Sequence, residues 1–385
     1  MELCKHRGEC GGCIYQGILY QEQMEMKAKE VLRLLKEKEV TYERFLGIEG
    51  SPRQFGYRNK MEYTFGNEVK DGEMTLGLHK QGRFMSIVTT DECQLVDPDF
   101  NRVLRATLDF CKDKGYPFYH KKTHKGLLRY LVLRKGEHTK ELLVNIVTST
   151  EMEFDSEGFV SMVRALPLDN QVVGILHTKD DSLSDAVSCD KLEILYGRDY
   201  YNEEIIGLKF RVGAFSFFQP NVLAIEKLYT EALTLIPNLD GKVVFDLYSG
   251  TGTITQALAQ RAKKAIGIEI VEEAVESAKE NAKLNGLDNC EFIAGDVLKV
   301  LDHVSDKPDV IVVDPPRSGI QPKALQKILA YGVEQILYIS CNPKTMADNL
   351  ATAMLIGYKV VSIKVFDNFP NTKHIETVVL LERKK

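Results

Sequence analysis

Val243-Val244-Phe245-Asp246-Leu247-Tyr248-Ser249-Gly250-Thr251-Gly252-Thr253 starts as an apolar run and stops in a turn carrying two glycines. A short buried strand that breaks at glycine and leads into a helix is the opening of an alternating α/β sheet. The pattern then recurs. Lys264 to Ile270 is a second strand, with Glu269 near its end. A third repeat closes on Phe292-Ile293-Ala294-Gly295-Asp296. The fourth strand, Asp309 to Val313, ends in Asp314-Pro315-Pro316-Arg317-Ser318-Gly319, and the fifth, Gln335 to Ile339, runs into Ser340-Cys341-Asn342-Pro343. From Lys242 onward the chain is therefore read as a Rossmann-like, doubly wound, mostly parallel sheet. In such sheets ligands sit beyond the carboxyl ends of the strands.

The residues at those ends carry the chemistry. Gly250 and Gly252 let the backbone approach a ligand closely, although a lone Gly-x-Gly serves a nucleotide, a dinucleotide or turn geometry equally well. Glu269 stands about 20 residues further on, where an acid accepts both ribose hydroxyls, and Asp296 suits an adenine amino group. Ile254 or Thr255 occupies the place of a third, phosphate-binding glycine. That disfavours a dinucleotide and favours S-adenosylmethionine, which has no phosphate to cradle. Cys341 lies where a nucleophile would meet a substrate; the competing reading is a buried core cysteine, since free Cys packs like a small hydrophobe.

Upstream the character changes. A helix is predicted from about Tyr15 to Lys38, with Met24, Ala28, Val31 and Leu35 as its apolar stripe. Short alternating strands follow from Phe55 to Phe215, among them Lys60–Phe65, Leu142–Val147 and Val172–His177, with one helix near Asp97 to Gly115. Glu203 to Gly213 reads as a last strand pair, and a helix from Asn221 to Leu235 follows Pro220, which suits its first turn. The expected organisation is 1–95 (a cysteine loop, a helix and the first strands of a mostly antiparallel β domain), 96–215 (the rest of that domain) and 216–385 (the α/β domain).

Eight cysteines in a chain with no signal-peptide core point to metal or catalysis rather than disulfides. Cys4, Cys10 and Cys13 share one glycine-containing loop, and Cys93 is the fourth candidate ligand. Zinc remains open, but a structural zinc site more often pairs two close Cys-x2-Cys units; three clustered cysteines plus a remote one is a known pattern for a four-iron cluster. The net charge of −5 argues against a uniformly basic nucleic-acid binder. Locally, however, Lys112, Lys114, Lys121, Lys122, Lys125, Arg129, Arg134, Lys135 and Lys140 face only Asp113 and Glu137. Tyr116, Phe118, Tyr119 and His120, interleaved with them, offer surfaces for stacking RNA bases. No apolar run approaches the roughly 18 residues of a membrane-spanning helix, so a cytoplasmic protein without a membrane partner is expected, with a monomer as the default.

Phe218-Gln219-Pro220-Asn221, Asp246 to Gly252, Asp314-Pro315-Pro316-Arg317, Ser340-Cys341-Asn342-Pro343 and His374-Ile375-Glu376-Thr377, in this order, resemble the S-adenosylmethionine-dependent RNA uracil-C5 methyltransferases. Bacterial ribosomal-RNA members of that family hold a [4Fe-4S] cluster, and Cys4, Cys10, Cys13 and Cys93 match its ligands. Many relatives carry an OB-like domain ahead of the cysteine loop, which here nearly opens the chain; the resemblance is therefore to a form lacking it. The resemblance implies Cys341 as nucleophile, Glu376 as base and Asp314 at the uracil edge. It also implies Gln219, Tyr248, Glu269, Asp296 and Asp314 as cofactor contacts, and RNA as partner, with 23S ribosomal RNA the expected target and transfer RNA the alternative. Arg317 anchors a phosphate or orders its loop. An amino-group methyltransferase would want an aromatic residue after Asp-Pro-Pro, where Arg317 stands, and would leave Cys341 idle. A cytosine-C5 enzyme shares the thiolate logic, and a non-catalytic iron–sulfur RNA-binding protein would not need Cys341, Glu376 and Asp314 intact.

Overall fold

The computed structural model describes residues 3–384, which divide into two units. The first comprises the N-terminal residues through Gly17, Arg53–Glu204 and Arg211–Phe215; the second is Ile18–Pro52, Ile205–Phe210 and Ser216 onward. A hairpin of Tyr200–Ile205 with Leu208–Gly213 lies where the chain passes from one to the other in sequence.

The first unit is a seven-stranded sheet in the order Arg83–Thr89, Met74–Lys80, Lys60–Asn67, Leu128–Lys135, Glu141–Thr148, Gln171–Lys179, Lys191–Gly197. Its pairs are antiparallel except Glu141–Thr148 with Gln171–Lys179. A parallel pair needs a crossover connection, and a helix, Ser156–Ala165, supplies it, opened by the Asp155 carboxylate accepting from the Gly158 N–H at 2.8 Å. One helix was expected in this region and there are two. The predicted one, Pro98–Asp113, is capped by Asp97 with proline at its first turn; the second buries only Phe159 and Val163, too few for a visible period.

The second unit is an eight-stranded sheet: Tyr42–Glu49, Tyr358–Phe366, Glu376–Arg383, Gln335–Ser340, Val310–Val313, Val243–Leu247, Lys264–Glu269, Cys290–Ala294. It is parallel apart from Glu376–Arg383, which runs antiparallel between its two neighbours. The central strands are buried on both faces, with Phe245, Leu247, Ile311 and Val312 fully inaccessible. That explains their uninterrupted apolar sequences, and each such side chain contributes about 1.5–3 kcal/mol on burial. The chain leaves Val243–Leu247 in one direction through the sheet and returns to its other side with Val310–Val313. This reversal opens a crevice at the carboxyl ends of those two strands.

The segment Ile18–Pro52 differs from expectation, because it joins this second unit and not the β domain. Its strand Tyr42–Glu49 pairs in parallel with Tyr358–Phe366 as a sheet edge. Its helix is Tyr20–Glu37, starting later than Tyr15 because Gly17 takes φ +92°. The buried face is Gln23, Lys27, Val31, Leu34 and Leu35, while Met24 and Ala28 are only half-buried. A lysine joins an apolar face here because its ammonium meets the equally buried Asp367 carboxylate at 2.6 Å. Pro220 sits just ahead of the next helix, Val222–Thr234, not inside its first turn; Asn221 is the cap, accepting from the Ala224 N–H at 3.2 Å. No described helix is long and apolar enough to cross a membrane.

Candidate active site

Strand pairing brings the predicted catalytic residues together. Gln335–Ser340 runs antiparallel to Glu376–Arg383 with Ser340 opposite Thr377, so the next residue of one strand, Cys341, faces the first residue of the other, Glu376. On its other side Gln335–Ser340 pairs in parallel with Val310–Val313, which delivers Asp314 to the same end of the sheet. Pro343 and the Asn342 cap, accepting from the Lys344 N–H at 3.2 Å, start a helix immediately after the cysteine. The two loops are tied: Asn342 Nδ2 donates to the Arg317 carbonyl at 2.7 Å, and Arg317 Nη2 lies 3.3 Å from His374 Nδ1.

The electrostatics follow from that crowding. Burial pushes the Cys341 thiol up to about 11, with Glu376 and Asp314 adding to the rise and Arg317 opposing it. Burial raises the Asp314 carboxyl to about 7. Glu376 is lifted well above the carboxylate range by burial and then by Asp314, again against Arg317. A thiolate here has one favourable neighbour in the guanidinium of Arg317. That gives Arg317 a more definite place than its sequence suggested.

The glycine turn is shaped for a close ligand. Gly252 takes φ +77°, and a Cβ there would stand 2.6 Å from the Phe292 ring. Tyr248, with a full side chain, nevertheless holds φ +69°, a left-handed conformation costing about 1–2 kcal/mol. Glu269 is held by backbone N–H groups: Gly250 donates to Oε2 at 3.0 Å, and Ile270 and Val271 donate to Oε1 at 2.8 and 3.0 Å. Tyr248 is pushed up to about 12 by burial and then by Asp296, so these two also share the crevice. Gln219 Nε2 reaches the Tyr229 hydroxyl at 3.5 Å. That tyrosine, which the sequence did not single out, is raised by burial and then by Asp314, with Asp246 and Glu376 also contributing.

Asp246 was quoted in the motif but given no role. It is fully buried, takes the Thr255 hydroxyl at 2.6 Å on Oδ2, and leaves Oδ1 without a partner, as is the Ser249 hydroxyl. Burial raises Asp246 to about 7. Orphaned buried oxygens lining a glycine turn, with a half-buried carboxyl at Asp314 beside them, fit a cationic, donor-bearing ligand such as S-adenosylmethionine. Ile270, 63% exposed directly after Glu269, is a third residue to which the sequence assigned no role; an apolar side chain there can cover an adenine face.

The four cysteines of the predicted cluster lie in the first unit. The Gly12 N–H donates to Cys10 Sγ at 3.3 Å, and Cys4 Sγ lies 3.9 Å from the Glu92 carbonyl. Burial raises Cys13 to about 12, with Cys93, Cys10 and Cys4 adding to it, and Cys93 is lifted to about 11 by burial. The thiols thus sense one another, and all four are free and half-buried. Yet among the described residues no group of three or more His, Cys, Asp or Glu side chains is already assembled as a metal site. The donor set suits a thiophilic metal; its geometry is not drawn in to one.

The basic segment is more occupied than its sequence implied. Arg129, Arg134 and Lys135 are buried, and Lys112, Lys114, Lys121 and Lys140 are ion-paired to Glu73, Asp155, Asp185 and Glu137. Tyr116 and Phe118 pack against the core of the sheet, and Tyr119 lies under the Arg129 guanidinium at 4.4 Å. All three rings are half-buried, and His120 is exposed.

Residues 20–384 match the tRNA (uracil-5-)-methyltransferase family. The chain belongs to that family. An uncharacterized RNA methyltransferase of Caldanaerobacter subterraneus subsp. tengcongensis is 51% identical over 380 residues, covering 99% of this chain and 84% of the relative. One from Clostridium tetani is 50% identical over 381 residues with the same coverage. Among solved structures, the Pyrococcus abyssi tRNA (uracil-54, C5)-methyltransferase in complex with S-adenosyl-L-homocysteine superposes with a TM-score of 0.76 at 29% identity, over 94% of this chain and 83% of that one. This member of the tRNA (uracil-5-)-methyltransferase family is thus an S-adenosylmethionine-dependent RNA methyltransferase with an α/β methyltransferase fold.

Proposed function

We propose that the protein methylates C5 of a specific uridine in RNA through a covalent bond between Cys341 Sγ and C6 of the base. The carrying observation is the antiparallel register that sets Cys341 across from Glu376. C5 of uracil is a poor nucleophile. Addition of the Cys341 thiolate to C6 converts the ring to an enolate with carbanion character at C5, an instance of covalent catalysis. S-adenosylmethionine supplies an electrophilic methyl on a sulfonium when bound. Gln219, Tyr248, Glu269, Asp296 and Asp314 would hold it, with Asp246 as a further carboxyl in the crevice. Arg317 favours the thiolate. Glu376, whose raised pKa makes its carboxylate a stronger base, takes the C5 proton after methylation. The electrons of that C–H bond re-form the C5–C6 double bond and expel Cys341 as thiolate. The elevated Asp314 is suited to hydrogen-bond the uracil edge.

A base within folded RNA has to be swung out to reach such a crevice. Cys4, Cys10, Cys13 and Cys93 would hold a [4Fe-4S] cluster with a structural or RNA-organising role, since the transfer itself moves no electrons to a metal. Normal folding and RNA affinity in a Cys10→Ala variant would refute that role. The cysteine pattern supports 23S ribosomal RNA as target; the Pyrococcus neighbour, named for transfer RNA, supports the alternative. Mapping 5-methyluridine in both RNAs of a deletion strain separates them. The chemistry is tested by trapping: RNA bearing 5-fluorouridine should form a denaturation-resistant adduct through Cys341, and 5-fluorocytidine RNA should not. An adduct with the cytidine analogue alone would make this a cytosine enzyme.

A further inference from the structure

We propose that Phe84, backed by His79, is a platform on which one unpaired base of the RNA stacks; this rests on the proposed RNA substrate and adds a site to it. Phe84 belongs to Arg83–Thr89, the edge strand of the seven-stranded sheet. It is 63% exposed, the most exposed phenylalanine or tyrosine among the described residues of that unit. Its orientation has a structural cause. Arg83 pairs with Lys80 and Ile87 with His79, so the intervening residues bulge out of the ladder, and a bulge re-aims the side chains it carries.

The ring is also held in place. It lies parallel to His79, with centroids 5.0 Å apart and planes 6° from coplanar, and His79 Nδ1 bonds the Phe84 carbonyl at 2.7 Å. Lys121 Nζ stands 4.6 Å from the Phe84 centroid, fixed by its ion pair with Asp185. Lys122 and Lys125, exposed in the same turn, and Arg83 on the same strand make the surroundings basic. An apolar ring 63% exposed, rigidly mounted and with the Lys121 ammonium over it, matches the two demands of a single-stranded nucleic acid: a flat π-face for the base, which takes the place of that ammonium, and positive charge for its phosphates. Of the aromatics of the basic segment that the sequence offered for this role, Tyr116, Phe118 and Tyr119 are half-buried and His120 is exposed; Phe84 escaped notice because it stands alone in an alternating strand.

The chain contains no tryptophan, so Phe84→Trp installs a single indole at the site. In the full chain, its emission should be quenched as an unstructured oligoadenylate binds and left unchanged by duplex RNA of the same length. Phe84→Ala should weaken oligoadenylate binding about 5- to 150-fold, the range for one stacked base. Phe84→Leu, apolar but without a π-face, should stay nearly as weak. Absence of quenching, parental affinity in Phe84→Ala, or recovery by Phe84→Leu would overturn the proposal. Methyl transfer to uridine by the parent chain, assayed in parallel, tests the uracil-C5 reading separately: its failure with quenching intact would sink that reading and leave the platform standing.

Discussion

Replacing Lys27 by methionine keeps the length of the stem and deletes the ammonium. The structure leaves the Asp367 carboxylate opposite it, both side chains at 0% exposure and Nζ 2.6 Å from Oδ1. Asp367 would keep its bond from the Phe369 N–H at 3.1 Å but lose its countercharge. Removing one member of a buried pair costs about 3–5 kcal/mol. The lost donation from Nζ to the Phe369 carbonyl, also at 3.1 Å, falls within that range, since a single hydrogen bond is worth about 1 kcal/mol. Lys27→Met should therefore lower unfolding stability by about 3–5 kcal/mol, a large share of the roughly 5–15 kcal/mol typical of a folded protein. Adding Asp367→Asn should restore most of the loss, because the amide is neutral and its oxygen still accepts from Phe369. Urea unfolding followed by circular dichroism reads both as midpoint shifts at unchanged slope. A Lys27→Met loss below about 1 kcal/mol, the ordinary size for a point substitution, would refute the buried-pair reasoning. So would strict additivity of the two changes.

Cys341→Ser should abolish adduct formation and reduce turnover by on the order of 10^4-fold or more, as loss of a nucleophile does elsewhere; gel analysis and methyl incorporation read the two effects. Glu376→Gln should slow turnover about 10^2- to 10^4-fold while letting an adduct accumulate on ordinary uridine RNA, because proton removal at C5 is the stalled step. Gly252→Ala should weaken S-adenosylhomocysteine binding, measured calorimetrically, and destabilise the fold by about 1–2 kcal/mol, since φ is +77° and the added methyl meets Phe292. The last prediction concerns pH. Asp246 titrates near 7 when folded, against an ordinary value of 3.8, so between about pH 4 and 7 the folded state binds more protons than the unfolded one and stability falls as pH rises. Three units at about 1.4 kcal/mol each make the drop about 4 kcal/mol for this group; Asp246→Asn should flatten the curve by that order, as urea midpoints across the range would show.

The second unit was legible because its strands are buried on both faces and its reactive residues stand at strand ends, next to residues that stop strands: Gly250, Pro315, Pro343. What was hidden is non-local. The affiliation of Ile18–Pro52 depends on a pairing with Tyr358–Phe366 that no local pattern announces. Lys27 reads as a surface residue until Asp367 is placed beside it. Arg129, whose guanidinium donates to the carbonyls of Asp180, Ser182 and Ser184, looks from its neighbours like part of a solvent-facing basic run. In the site, Tyr229 and Asp246 went unassigned because their roles come from burial beside other acids. A helix repeat or a motif alone does not disclose that.

The sheet edge formed by Tyr42–Glu49 also sets an order of events during synthesis. Among the described residues its one partner strand in the sheet is Tyr358–Phe366, which leaves the ribosome long after it. Residues 53–204 can pair among themselves long before then. The early strand must wait, with its backbone unpaired and open to mispairing with other nascent chains. A chain stalled before Tyr358 would leave that strand waiting indefinitely, so messenger truncations just short of it should yield aggregates and not partially active enzyme.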